Sequence, residues 1–191
     1  ARGLLDQPAQ EQGERGALAR SLRRIELTIL RCKDLLEIAK FLGESGYVAK
    51  HPLDLGALVR EIVREVEGWC QAARVRMDLR LRMEPALVDA ARYPLTLGLR
   101  ELIHRAAASA ARGEGLVRVS GTEADGRIDL CVEDHGPGQS ATGSEGQEAL
   151  MAKLGLSLVR QVLAFHGCTL RVDSDASQGT VVHVGFPLCE A

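Results

Sequence analysis

The chain has 191 residues, 46% of them hydrophobic and 26% charged, with a formal net charge of −2. That is enough for one good core, or for one compact domain with a helical appendage, and it excludes a disordered chain. The charge balance lends no support to a nucleic-acid or anionic-membrane role, and no apolar run approaches the roughly 18 residues a spanning helix needs.

The opening residues, Ala1-Arg2-Gly3-Leu4-Leu5-Asp6-Gln7-Pro8, lack the pattern of a signal peptide. The chain begins without Met, so it reads as a piece of a longer protein, with room for a membrane sensor upstream. Residues 14–45 carry the clearest periodicity. Leu18, Leu22, Ile25, Ile29, Cys32, Leu36 and Ala39 follow alternating steps of four and three, an a/d seam that one helix cannot bury alone. Leu35, Ile38 and Leu42 widen the stripe, and Gly43 and Gly46 are expected to stop the helix. A partner helix is implied, either in a dimeric bundle or within the same chain.

His51-Pro52-Leu53-Asp54 reads as a short extended link, with Asp54 as N-cap of the next helix. That helix is predicted from Leu55, Leu58, Val59, Ile62, Val63, Val66 and Trp69. From Val75 the period changes to two, through Met77, Leu79, Leu81 and Met83, which predicts a half-buried strand. A third helix is predicted over Tyr93 to Ala111, then strands over Leu116 to Ser120 and Ile128 to Val132, joined by a turn at Glu123-Ala124-Asp125-Gly126. A polar segment follows from Gly136 to about Glu148, then a helix from Leu154 to His166 and strands from Thr169 to Ser174 and Thr180 to Phe186. One layer of helices on one mixed sheet packs these elements most economically. The five cysteines (Cys32, Cys70, Cys131, Cys168, Cys189) are odd in number and have no CxxC spacing. They argue for buried reduced thiols in a cytosolic protein rather than for disulfides or zinc.

Three strings carry chemistry. In Val132-Glu133-Asp134-His135-Gly136-Pro137-Gly138, a carboxylate at a strand end can accept from an exocyclic amine, and two glycines let the backbone approach a flat ligand. Read alone, it is equally a β-turn with an N-cap Asp. Lys153-Leu154-Gly155-Leu156-Ser157-Leu158 places a glycine where a helix opens, either a phosphate-binding start or an ordinary one. Phe165-His166-Gly167-Cys168-Thr169-Leu170, followed by Ser177-Gln178-Gly179-Thr180 and a strand to Phe186-Pro187, is by itself a hairpin.

In this order and spacing the strings resemble the Bergerat-type ATP-binding fold of bacterial sensor histidine kinases, shared with DNA gyrase. Asp134-His135-Gly136-Pro137-Gly138 resembles the first Gly box, Leu154-Gly155-Leu156-Ser157-Leu158-Val159 the end of the second, and Gly179-Thr180 the last. Leu35 to Gly43, then Pro52 to Val59, looks like a second dimerisation helix running into the ATP domain. The resemblance implies an α+β protein: a two-layer α/β sandwich, with a mixed sheet covered by helices on one face, preceded by a long dimerisation helix. Residues 1–50 would be the remainder of the dimerisation hairpin and residues 51–191 the ATP-binding domain. The seam Leu18, Leu22, Ile25, Ile29, Cys32 and Leu36 would make the homodimer. Asp134 would bind the adenine amine, Gly136 and Gly138 would shape the pocket wall, and Thr180, next to Gly179, would support Asp134 through its hydroxyl or a water. Gly155 and Leu156 would lie near the phosphates of ATP or ADP, beside a lid over Gln139 to Lys153.

The sequence departs from the family at the metal and phosphate end. Glu101 and Arg105 stand where two polar residues four apart face the nucleotide, the second normally an Asn that holds Mg²⁺. Arg has no acceptor and cannot ligate a metal, so the altered box speaks against Mg²⁺. Arg105 would instead put a positive charge on phosphate, or form an i, i+4 surface pair with Glu101. Ala108 replaces a basic residue, and Met151 and Lys153 replace glycines. None of His51, His104, His135, His166 and His183 fits the family's phosphoacceptor, which would lie upstream of Ala1. Four readings compete: a signalling scaffold with a degenerate nucleotide site, a working kinase, an adaptor that binds no nucleotide, and a serine-directed anti-sigma kinase, against which the heptad helix argues. A receiver domain or another kinase is the expected partner. This segment should be cytoplasmic, without nucleic-acid or membrane contact.

Overall fold

The computed structural model describes residues 7–43, 48–83, 85–124, 126–136, 147–175 and 178–189. Four helices and seven strands follow in the order α1 (Gln7–Gly43), β1 (His51–Asp54), α2 (Leu55–Ala72), β2 (Arg76–Arg82), β3 (Leu87–Ala90), α3 (Arg92–Ala110), β4 (Leu116–Ala124), β5 (Arg127–Asp134), α4 (Gln147–Phe165), β6 (Thr169–Asp175) and β7 (Gly179–Pro187). Five strands form one mixed sheet in the order β2-β4-β5-β7-β6, with β2 parallel to β4 and the other pairs antiparallel. The expected α+β sandwich is present.

Alternation along the central strands sets the core. Ile128, Leu130 and Val132 of β5 and Val182, Val184 and Phe186 of β7 face inward and are buried. They meet Leu58, Val59 and Ile62 of α2, Leu99 and Ile103 of α3, and Val159 and Leu163 of α4 in one cluster. Asp54 caps α2, its Oδ1 accepting from Ala57 N at 3.0 Å. Replacing Asp54 with Ala should cost about 1 kcal/mol of unfolding free energy, read from urea titration, because one α2 amide loses its acceptor.

Several elements differ from the sequence expectation. His51–Asp54 is a strand rather than a free link, pairing antiparallel with Leu87–Ala90 in a separate two-stranded sheet. The period-two segment forms an edge strand, so Leu79 stays exposed instead of facing a core. The β4–β5 hairpin is tighter than expected: Ala124 pairs with Arg127, and Gly126 takes φ +70°. Helix α4 begins at Gln147 rather than near Leu154, which puts Gly155 in its interior. Leu150, Met151, Ala152 and Lys153 are good helix formers that override the glycine.

Helix α1 carries two faces. Leu35 and Ile38 are buried against Leu97 of α3 and Val162 of α4, with Phe41, Leu42 and Leu158 beside them. The Phe41 and Phe165 rings meet edge-on at 5.2 Å. The residues read as widening the stripe therefore dock α1 on its own domain. The seam residues Leu18, Leu22, Ile25, Ile29 and Leu36 stay open to solvent, Ile29 at 63% and Leu36 at 71%. Gly46 lies outside the described residues. No helix among the described residues is long and apolar enough to cross a membrane.

Two histidines join helices from within. His166 is 4% exposed. Its Nε2 accepts from Ala91 N at 3.1 Å, so Nδ1 carries the proton and donates to Val162 O at 2.7 Å. His104 lies edge-on to Trp69 at 6.0 Å. Burial, followed by the charges of Arg100 and Arg31, pushes His104 down to about 4, and burial also lowers His166. Both are harder to protonate in the fold than in the unfolded chain, which takes up protons near pH 6.5. Stability is full above that pH and is expected to fall between pH 6.5 and 4, by about 2–3 kcal/mol for His104. Urea midpoints across this range should show that slope, and His104→Gln should flatten it.

Candidate functional site

Asp134 closes β5 on the inward side, in step with Ile128, Leu130 and Val132, and is 5% exposed. Its register partner on β7 is Thr180. The carboxylate turns back on its own chain: Oδ1 accepts from Gly136 N at 2.9 Å. Ser109 of α3 adds a side-chain hydrogen bond and Thr180 a backbone one. Burial holds the Asp134 carboxyl above its ordinary value, and these bonds and the charge of Arg105 pull the other way. The Thr180 hydroxyl lies 3.2 Å from Ser174 Oγ.

Glycine makes this corner fit together. A Cβ on Gly136 would overlap Ser109 Oγ and lie 2.6 Å from the Ser109 carbonyl. One on Gly113, just beyond α3, would overlap the His135 carbonyl oxygen and lie 2.9 Å from Gly136 Cα. Gly179, at φ +94°, backs onto the Asp134 carbonyl. The end of α3, the β5 exit and the β7 entry thus touch backbone to backbone. Gly138 and residues 139–146 of the expected lid lie outside the described residues, and the rest of that segment, 147–153, is the first part of α4.

One to two turns up α3 are Glu101 and Arg105. Glu101 is 2% exposed. Arg31 of α1 donates Nε to both of its oxygens, at 3.1 Å to Oε1 and 2.8 Å to Oε2, and Nη2 to Oε1 as well. The preceding residue, Arg100, meets Asp34 of α1 at 2.8 and 3.0 Å and Glu65 of α2 at 3.0 Å. Two crossed ion pairs therefore flank the Leu35–Ile38 contact. Glu101 is bound into this interhelix clamp, and it is buried rather than on the surface; its charge also reaches Arg105. Burial tends to lower Arg31, but the hydrogen bond and charge of Glu101 outweigh it, and the guanidinium sits above its ordinary value. Arg105 is lowered, first by burial; it feels the charges of Glu101, Arg31 and Asp134 together. Gly155 of α4 packs on the same carboxylate, its missing Cβ position 2.6 Å from Glu101 Oε1. Leu156, beside it, is half-buried against the main core.

The sequence reading thus brings two groups together: Asp134, Gly136, Gly179 and Thr180 at one end, and Glu101, Arg105, Gly155 and Leu156 at the other, with Arg105 electrostatically linked to both. It missed Arg31 and Ser109. Ser109 sits eight residues beyond Glu101 on α3, a hydroxyl in an alanine run, and that was its only signal. Among the described residues, no three His, Cys, Asp or Glu side chains are arranged to hold a metal.

Residues 91–190 match the family described as histidine kinase-, DNA gyrase B- and HSP90-like ATPases. The chain belongs to this family. The match begins at the start of α3 and covers every strand of the five-stranded sheet except β2. This histidine kinase-like ATPase domain is 29% identical over 168 residues to the histidine protein kinase DivJ of Caulobacter vibrioides, across 81% of the chain but only 28% of DivJ. Among solved structures, it superposes on histidine kinase ThkA in complex with response regulator protein TrrA with a TM-score of 0.66 and 17% identity, over 90% of this chain and 52% of that one. It also superposes on the Acinetobacter baumannii histidine kinase AdeS with a TM-score of 0.60 and 17% identity, over 88% and 82%. At such identities these likenesses speak to the fold.

Proposed function

We propose that this chain is the helix and nucleotide-binding part of a dimeric two-component signalling protein that acts as a scaffold or allosteric partner in a phosphorelay, with weak or absent phosphoryl transfer of its own. Residues 1–50 are read as the end of a dimerisation hairpin and residues 51–191 as the ATP-binding domain. The open seam from Leu18 to Leu36 supports pairing of two copies. ATP or ADP is the ligand, with its adenine amine on Asp134 and its phosphates toward Gly155 and Leu156. A receiver domain, as in the ThkA–TrrA complex, or another kinase is the partner, and the segment works in the cytoplasm.

One observation carries the reading of weak transfer. At the two α3 positions nearest the phosphates, Glu101 has both oxygens taken by Arg31, and Arg105 offers no lone pair. Mg²⁺, which the family places here, does not fit such a donor set. Phosphoryl transfer relies on metal and positioning to neutralise developing charge. With labelled ATP and Mg²⁺, the full-length protein is expected to form acid-labile phosphohistidine at least about 100-fold more slowly than an active histidine kinase run beside it. Labelling at a comparable rate would make it a working kinase and overturn the proposal.

A further inference from the structure

Helix α3 is gripped at both ends, by different parts of the molecule. At one end Arg100 and Glu101 pair with Asp34 and Arg31 of α1, beside the contact of Leu35 and Ile38 with Leu97. At the other end the Ser109 side chain hydrogen-bonds Asp134. The backbones there leave no slack: a Cβ on Gly136 would come 2.6 Å from the Ser109 carbonyl oxygen, and one on Gly113 would come 2.9 Å from Gly136 Cα. Glu114 N also donates to His135 O at 3.1 Å. From Arg100 to Ser109 the helix contains no glycine or proline, so over about 14 Å it moves as one piece.

The grip of α1 is separate from the rest of the fold. Leu35, Ile38, Leu97 and Val162 form an apolar cluster of their own, apart from the main core. Arg100 still has Glu65 of α2 when Asp34 leaves. The seam of α1, with Ile29 and Leu36 open to solvent, lies on another face, so the helix can leave the domain without giving up a helical partner.

We propose that docking of α1 and binding of a ligand at Asp134 strengthen each other through α3. Docked α1 fixes the position of α3 through the clamp, and α3 then holds Ser109 and the β5 exit in the geometry in which Asp134 meets an exocyclic amine. With α1 released, α3 loses two ion pairs and an apolar contact, the competent geometry is populated less, and the ligand binds less tightly. By linkage the ligand draws α1 onto the domain by the same factor. This rests on the reading that Asp134 holds adenine. It gives the allosteric role a route, in which occupancy of the adenine pocket sets the position of the long helix.

Calorimetric titration with adenosine and hydrogen exchange of α1, both on the whole protein, test this. Ile38→Asp puts a charge into the α1 contact without touching the main core, and Asp34→Asn removes one ion pair while leaving Arg100 its Glu65 partner. Adenosine affinity is expected to fall about tenfold in the first and several-fold in the second, with a cooperative melt kept in both. In the parent protein, saturating adenosine should slow exchange of the α1 amides between Arg31 and Leu42. Unchanged or tighter adenosine binding in Ile38→Asp overturns the proposal. So does α1 exchange that adenosine leaves unchanged in the parent, whatever the variants do. If the parent does not bind adenosine, the Asp134 reading fails and takes this inference with it; if it binds and α1 does not respond, only this inference fails.

Discussion

Gly179→Ala is expected to destabilise the protein by about 3 kcal/mol or more and to abolish nucleotide binding together with it. Gly179 has φ +94°, a conformation an L side chain rarely adopts. A Cβ there would overlap the Asp134 carbonyl oxygen and lie 2.9 Å from its carbonyl carbon and 3.1 Å from His135 Cα. All of these are backbone atoms of the β5 exit, so no side chain can rotate aside. Asp134 and Thr180 are register partners, and pushing β7 off β5 at this point moves the carboxylate as well. Chemical denaturation should show the loss. A variant within about 0.5 kcal/mol of the parent would mean that the β5–β7 corner is looser than the packing described here.

Asp134→Ala combines a stability effect with a binding effect. The carboxylate accepts from Gly136 N and from Ser109 and Thr180 within a nearly closed corner. Removing it leaves three donors without that acceptor, each costing about 1–3 kcal/mol if water cannot reach it. Asp134→Asn keeps an acceptor but cannot take a further hydrogen bond as strongly, and its amide NH₂ puts a donor where the carboxylate had an acceptor. It should stay folded with a loss of about 2 kcal/mol or less, while ADP affinity falls at least about 100-fold. Melting curves and ADP titration on the Asn variant separate the two roles. Unchanged ADP affinity would remove Asp134 from the binding site.

Much of the architecture was legible from local patterns. Steps of three and four located α1 and α2, and the strand predicted over Ile128 to Val132 put Asp134 at its end. The Asp54 cap followed from the residue before an apolar-periodic run. Strand β3 was not legible, because Leu87–Ala90 is four residues long and gains its identity only by pairing with His51–Asp54. Nor was the start of α4, because Gly155 looks like a helix opener until Glu101 is seen to occupy the space its side chain would fill.

The sequence by itself determined α1 and α2, the alternation of the strands and the apolar seam of α1, since these depend on spacing along one chain. Only the tertiary structure decided what Glu101 does, which face of α1 docks, and that Ser109 bonds Asp134. Those are meetings between residues tens of positions apart, and a charge on a helix carries no mark of the partner that will neutralise it until packing of Leu35 and Ile38 on Leu97 and Val162 brings Arg31 within 3 Å of its carboxylate.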